Sequence, residues 1–267
     1  MKRVDIVNAI YNAYDEDARL TKSRNGQLES ITTMRYIHAL LPEGAKVLEV
    51  GAGTGRYSVA LAREGYDVSA VELVERNLET LRENAKGLEY LSATQGDATN
   101  LGAFPDDAFD AVLALGPMYH LYAPEDWNRA LDEAIRVTKP GGLIFTAFLS
   151  VYAILYANYL SGNFREGLAE NFDGDFRVRH FEEQGFTGFD ISEFEALFDG
   201  KPVREIALAG TDSVLELAKR MNGFSLPDEE FEAFVRYHLH TCEIRELLGS
   251  HSHLLHICRK QDGRTNR

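Results

Sequence analysis

Apolar positions along this chain follow two alternating patterns, a spacing of three to four residues and short unbroken runs. From Gln27 to Leu41 the residues Leu28, Ile31, Met34, Ile37 and Leu41 recur at helical spacing until Pro42 stops them, which predicts an amphipathic helix. Lys46 to Val50 is a short β-type run, Tyr57 to Arg63 is helical in pattern, Val68 to Val71 is a second run, and Val74 to Asn84 is helical again. The alternation continues with Leu88 to Ala93, Ala111 to Leu115, a helix over Pro124 to Val137, and the strongly apolar run Leu143 to Leu149. Five strands alternating with helices predict an α/β fold around a parallel sheet.

After Ser150 the pattern loosens. Aromatic residues from Tyr152 to Phe189 crowd together without a clean period, and we read this stretch as an inserted cap; aromatics packed into an ordinary core are the competing account. Alternation resumes in Val203 to Leu208, a helix is expected over Pro227 to Leu247, and His253 to Cys258 forms a last strand. There is no internal repeat, and only Gln261 to Arg267 reads as a frayed polar tail.

Composition narrows the classes. With 267 residues and 45% hydrophobic content, the chain can build a large core, which excludes a disordered tail. The 28 basic against 42 acidic residues give a net charge of -14, a field that repels a phosphate backbone, so nucleic acid is a poor candidate partner. No run approaches the roughly 20 apolar residues that span a bilayer, and Met1 to Tyr14 lacks the apolar centre of a signal peptide, so a cytoplasmic location is expected. Cys242 and Cys258 carry no paired spacing and read as ordinary thiols.

The chemistry is concentrated at strand ends. Glu49-Val50-Gly51-Ala52-Gly53-Thr54-Gly55-Arg56 joins the first strand to its helix as a glycine-rich turn, where missing β-carbons let a ligand lie against the backbone. A tight structural connection is the alternative. A dinucleotide fingerprint would place its third glycine at position 56, which is Arg56; here the glycine comes one residue early, so the match to nicotinamide binding is imperfect. Glu72 ends the second run, 21 residues after Gly51, where a carboxylate can accept from both hydroxyls of a ribose. Gly96-Asp97-Ala98 follows the third strand and sets another carboxylate near the same edge, able to accept from an exocyclic amine.

In these residues the chain resembles the class I S-adenosylmethionine-dependent methyltransferases, especially bacterial members acting on small molecules. The resemblance covers about residues 45 to 150. It rests on Glu49, Gly51, Gly53 and Gly55, on Glu72, on Asp97, on the run Phe109 to Leu115, and on the Lys139-Pro140-Gly141-Gly142 turn before the fifth strand. It implies a Rossmann-like, seven-stranded, mostly parallel sheet with helices on both faces and an antiparallel last strand. It also implies an N-terminal helical lid over residues 1–44 and a cofactor-binding core over 45–150; with the aromatic stretch read as a cap over 151–200, the resumed alternation over 201–260 completes the sheet. The implied cofactor is S-adenosyl-L-methionine, with Ala52, Leu73, Ala98 and Leu115 joining the motif residues in its site. The loop needs no anion cradle, because this cofactor lacks a pyrophosphate, and an acidic edge suits its sulfonium cation.

The resemblance also places Tyr119 and His120, just after the fourth strand, opposite the transferred methyl. His120 is a candidate general base and Tyr119 a candidate positioner, with loop hydrogen bonding and packing as alternatives. The segment from Tyr11 to Leu20 resembles the lid of small-molecule members, with Tyr14 and Arg19 as cofactor candidates; Arg19 or Arg35 could pair with a carboxylate, and a solvated helix face explains them equally. His238, His240, Cys242, His251, His253 and His256 match no structural zinc spacing, so no metal is expected. The expected function is methyl transfer to a small-molecule acceptor. A non-catalytic module binding S-adenosylmethionine or S-adenosylhomocysteine, and a methyltransferase acting on RNA or protein, are the alternatives, the latter weakened by Leu115-Gly116-Pro117-Met118 where an Asn-Pro-Pro-Tyr type motif would stand. A homodimer is one candidate assembly.

Overall fold

A computed structural model describes residues 3–13, 17 and 19–262. Helices α1 (Arg3–Ala13), α2 (Arg19–Lys22) and α3 (Arg24–Leu40) precede the sheet. The third starts ahead of its apolar periodicity because Ser23, in extended conformation, caps it by accepting from the Gly26 N–H. Then come β1 (Lys46–Val50), α4 (Arg56–Arg63), β2 (Asp67–Glu72), α5 (Glu75–Asn84), β3 (Leu91–Gln95), β4 (Phe109–Ala114), a 3₁₀ turn at Pro117–His120, α6 (Pro124–Val137) and β5 (Thr138–Leu149). The remainder is α7 (Val151–Tyr159), α8 (Phe164–Asn171), a 3₁₀ turn at Glu182–Gln184, α9 (Ile191–Ala196), β6 (Val203–Gly210), α10 (Leu215–Ala218), α11 (Asp228–Thr241), α12 (Arg245–Leu248) and β7 (His253–Lys260).

The seven strands lie in the order β3-β2-β1-β4-β5-β7-β6. β1 through β5 pair in parallel, and β7 runs antiparallel between β5 and β6. This is the mostly parallel sheet that the motif order implied. Alternation along each strand divides the core. Val47, Ala111, Leu113 and Phe145 pack with Tyr36, Ile37 and Leu61 from α3 and α4. Leu48, Val112 and Ile144 meet Ala134 and Ile135 of α6 on the opposite face. Phe145 is fully buried, and truncating such a side chain to alanine costs about 3–5 kcal/mol.

The chain leaves β1 toward β2 and β3, then returns to the other side as β4. The C-terminal ends of β1 and β4 therefore diverge at a switch point, which opens a crevice where α/β sheets take their ligands.

Two elements depart from the apolar pattern. The third strand begins at Leu91 and not at Leu88; Leu88 closes the turn after α5, its N–H donating to the Ala85 carbonyl at 3.0 Å, and its side chain packs on the core from there. The expected helix over Pro227 to Leu247 divides into α11 and α12. The Cys242 carbonyl at that break accepts from Gly210 N–H at 2.8 Å, so it serves the end of β6 instead of the helix. No helix among the described residues is long and apolar enough to cross a membrane.

Candidate active site

The crevice is a cavity of about 840 Å³, in the upper part of the ~300–1,000 Å³ range of small-molecule sites. Its floor is built from the turn after β1. Gly51 and Ala52 donate their N–H groups to the Val71 carbonyl at 2.8 and 3.0 Å, which fastens the turn to β2. Gly51 has φ +71, and a Cβ there would stand 3.0 Å from Pro117 Cδ, so only glycine lets the loop after β4 approach.

Glu72 holds the first two turns together. Its Oε2 accepts from Gly53 N–H at 2.7 Å and its Oε1 from Val74 N–H at 2.8 Å. Asp97 Oδ1 accepts from the Thr99 N–H at 3.0 Å and the Thr99 hydroxyl at 2.9 Å, while Oδ2 pairs with Arg3 of α1. Glu49 is buried and accepts from the Ser58 hydroxyl. Burial pushes its carboxyl up to about 8, opposed by the Ser58 hydrogen bonds and reinforced by the Glu72 charge.

His120 sits on the opposite wall. Its Nδ1 lies 2.8 Å from the Gly185 carbonyl, which only accepts, so Nδ1 carries the hydrogen and Nε2 receives the Tyr11 hydroxyl at 2.9 Å. Burial pulls the imidazole down to about 4, with the Gly185 bond opposing and Arg3 adding to the shift. The ring is therefore neutral near pH 7. Tyr119 is buried with its hydroxyl unpartnered, and burial raises its phenol well above the ordinary value.

Most of the residues expected from the sequence meet here. Glu49, Gly51, Ala52 and Gly53 come from the first turn, Glu72 and Leu73 from the second, Asp97 and Ala98 from the third, and Leu115, Tyr119 and His120 from the loop after β4; Arg19 also lines the cavity. Gly55 does not. Its φ of +85 opens α4, and a Cβ would meet Leu81 Cγ at 2.8 Å, so it serves helix packing. Tyr14 lies outside the described residues. The Arg19 guanidinium is engaged by Glu29 at 2.7 Å, and Arg35 lies away from the cavity, bonded to the Leu239 carbonyl.

The aromatic stretch divides three ways. Phe189 and Phe194 are buried against Phe148, stacked at 3.8 Å between the Phe148 and Phe194 rings. Tyr159, Phe181 and Phe186 line the cavity, and Phe176 is exposed. The late histidines have separate partners: His238 meets Thr32 at 3.0 Å, His251 accepts from Ser213 N–H at 2.8 Å, and His256 meets Glu205 at 3.1 Å. Sequence reasoning did not single out Arg3 and Tyr11 of α1 or Asp212 and His253 beyond β6 as site residues.

Residues 48–146 match a protein-family model described as a methyltransferase domain. The chain is 36% identical over 135 residues to a demethylmenaquinone methyltransferase of Clavibacter sepedonicus, covering 51% of this chain and 53% of that protein. It is 31% identical over 170 residues to a ubiquinone biosynthesis O-methyltransferase of Methylocella silvestris, covering 58% and 60%. The matched stretch thus spans about half the length of the curated relatives. Among solved structures, a SAM-dependent methyltransferase of Thermotoga maritima, titled a possible histamine N-methyltransferase, superposes with a TM-score of 0.57 at 19% identity over 98% of this chain and all of that one.

Proposed function

We propose, from the premise that this chain belongs to the class I S-adenosylmethionine-dependent methyltransferases through its residues 48–146, that it transfers a methyl group to a small-molecule acceptor. The observation that carries this reading is the set of three carboxylates at successive strand ends, Glu49, Glu72 and Asp97, around a glycine turn that lies against Pro117. Their chemistry fits S-adenosylmethionine: acceptors without a phosphate cradle, with Glu72 and Asp97 supplying negative charge for a cation. Glu72 would hold the ribose hydroxyls and Asp97 the adenine amine, with Leu73, Ala98 and Leu115 flanking the rings. When bound, the cofactor supplies an electrophilic methyl on a cationic sulfur.

The chain's own residues do the rest. We assign residues 1–44 as a lid, 45–150 as the cofactor core, 151–200 as a cap and 201–260 as the remainder of the sheet. Support for the lid comes from α1, which reaches Asp97 through Arg3 and His120 through Tyr11. Ile154, Phe181 and Phe186 would give the acceptor's side an apolar wall. Tyr119 and His120 position the acceptor, the neutral His120 through the Tyr11 hydroxyl that its Nε2 holds at 2.9 Å, and a ring held near 4 resists taking up a proton itself. Alignment of nucleophile and methyl supplies most of the rate. The names of the relatives favour a quinol-like acceptor, and the net charge of -14 disfavours nucleic acid.

The test is incubation of the full chain with methyl-labelled S-adenosylmethionine and a panel of quinols, catechols and amines. Label transferred to a small acceptor supports the reading. Cofactor binding with no transfer to any acceptor, protein and RNA included, favours a binding module instead.

A further inference from the structure

Across Tyr119 from His120 stands a second histidine whose surroundings are the reverse. His253 opens β7, paired in register with Leu149 at the carboxyl end of β5, and both line the cavity. Its ring centroid lies 5.9 Å from that of Tyr119. Behind it, Asp212 is completely buried just past the end of β6. Asp212 Oδ1 accepts from the Ser252 and His253 N–H groups at 2.9 and 3.1 Å, and its Oδ2 lies 2.8 Å from His253 Nδ1. A carboxylate so placed fixes the tautomer: Nδ1 carries the hydrogen and Nε2 keeps the lone pair on the cavity side. No hydrogen bond engages that nitrogen among the described residues.

The geometry points to His253 as the general base of this site, with Asp212 as its positioning residue, acting on an acceptor whose nucleophile is a phenolic or enolic hydroxyl. This rests on the methyltransferase reading and narrows its substrate class. Three elements face the ring with charge: Asp212 after β6, Glu29 of α3 and Arg19 of α2. Burial alone would lower the imidazole, but Glu29 and then Asp212 outweigh it, so His253 is raised above its ordinary value while Arg19 opposes. An imidazole whose basicity is raised in this way is better matched to the proton of a phenol or enol than to that of an aliphatic alcohol.

In the step, the acceptor O–H bond breaks with its electron pair left on oxygen, and the proton goes to Nε2. The oxygen pair forms the O–CH₃ bond as the C–S pair returns to sulfur. The products are a methyl ether, a neutral thioether and a proton that the Asp212-paired imidazolium returns to water.

4-Nitrocatechol, a phenol whose ionisation is read from its visible absorbance, tests this without turnover. The full chain is first titrated with S-adenosylhomocysteine, and the probe is then added to that complex for wild type, His253→Gln and Asp212→Asn, with thermal melts reporting folding. The expected result is a bound probe ionised at least one pH unit below the free probe in wild type, and loss of that displacement in His253→Gln with homocysteine-product affinity kept within threefold. Asp212→Asn should lose it as well; if that buried variant fails to fold, His253→Gln decides alone. Absence of S-adenosylhomocysteine binding in wild type sinks the methyltransferase reading. Binding of it with no probe ionisation, or ionisation that survives His253→Gln, overturns the dyad alone.

Discussion

The Gly53 N–H and Glu72 Oε2 meet at 2.7 Å, so the glycine turn after β1 is held by the carboxylate that ends β2. Because Glu72 also accepts from Val74 N–H, its orientation is set before any ligand arrives. Glu72→Gln puts an amide NH₂ where one N–H now donates. A hydrogen bond to a charged group contributes about 1.5–3 kcal/mol, so S-adenosylhomocysteine affinity should fall roughly 10–100-fold. Calorimetric titration checks this, and an affinity within twofold of wild type would contradict the ribose assignment.

Gly51→Ala combines a left-handed backbone with a Cβ 3.0 Å from Pro117. We expect a loss of about 1–3 kcal/mol in urea unfolding, together with weaker cofactor binding as the loop after β4 is pushed away. Gly141→Ala has φ +77 but nothing within 4 Å of its Cβ, so it should cost stability while leaving the cofactor affinity near wild type.

The sequence was most legible where local signals and burial agree. Lys46–Val50 and Pro124–Val137 appear with the expected bounds. The helix is marked by Pro124 at its first turn with Glu125 and Asp126 behind it, and the strand by continuous apolar burial. Leu88 misled because an apolar residue closing a helix turn looks like the start of a strand. The break at Cys242 was hidden because its carbonyl is taken by Gly210, 32 residues away. Within the site, Glu49, Glu72 and Asp97 were readable because motif spacing fixes them to strand ends. Arg3, Tyr11 and the Asp212–His253 pair were not, since each depends on a contact across the fold: 94 positions separate Arg3 from Asp97 and 41 separate Asp212 from His253.

Glu49 makes the fold sensitive to alkali. Its carboxyl is raised from 4.5 to about 8 by burial, so between those values the native state holds a proton that the unfolded chain has lost. Stability from this group is present below about 4.5 and declines as pH rises toward 8. Glu49→Gln should therefore gain melting temperature relative to wild type between pH 5 and pH 8.5, and a constant difference across that range would refute the assignment.

Three imidazoles act in the other direction. Burial lowers His120, His238 and His251 to about 4. Between about 4 and 6.5 the unfolded chain binds protons that the folded one refuses, so stability rises with pH across that window and is lost on acidification. Urea midpoints should fall steeply from pH 6.5 to 4.5, and His238→Gln should flatten part of that slope. A slope unchanged in the variant counts against a buried neutral His238.

The cavity at the β1–β4 switch point is built to hold S-adenosylmethionine and its demethylated product. Isothermal titration of the full chain with S-adenosylhomocysteine should give a saturable one-to-one isotherm that Glu72→Gln weakens, and NAD⁺ should give none. Saturable heat with NAD⁺ and none with S-adenosylhomocysteine would contradict it.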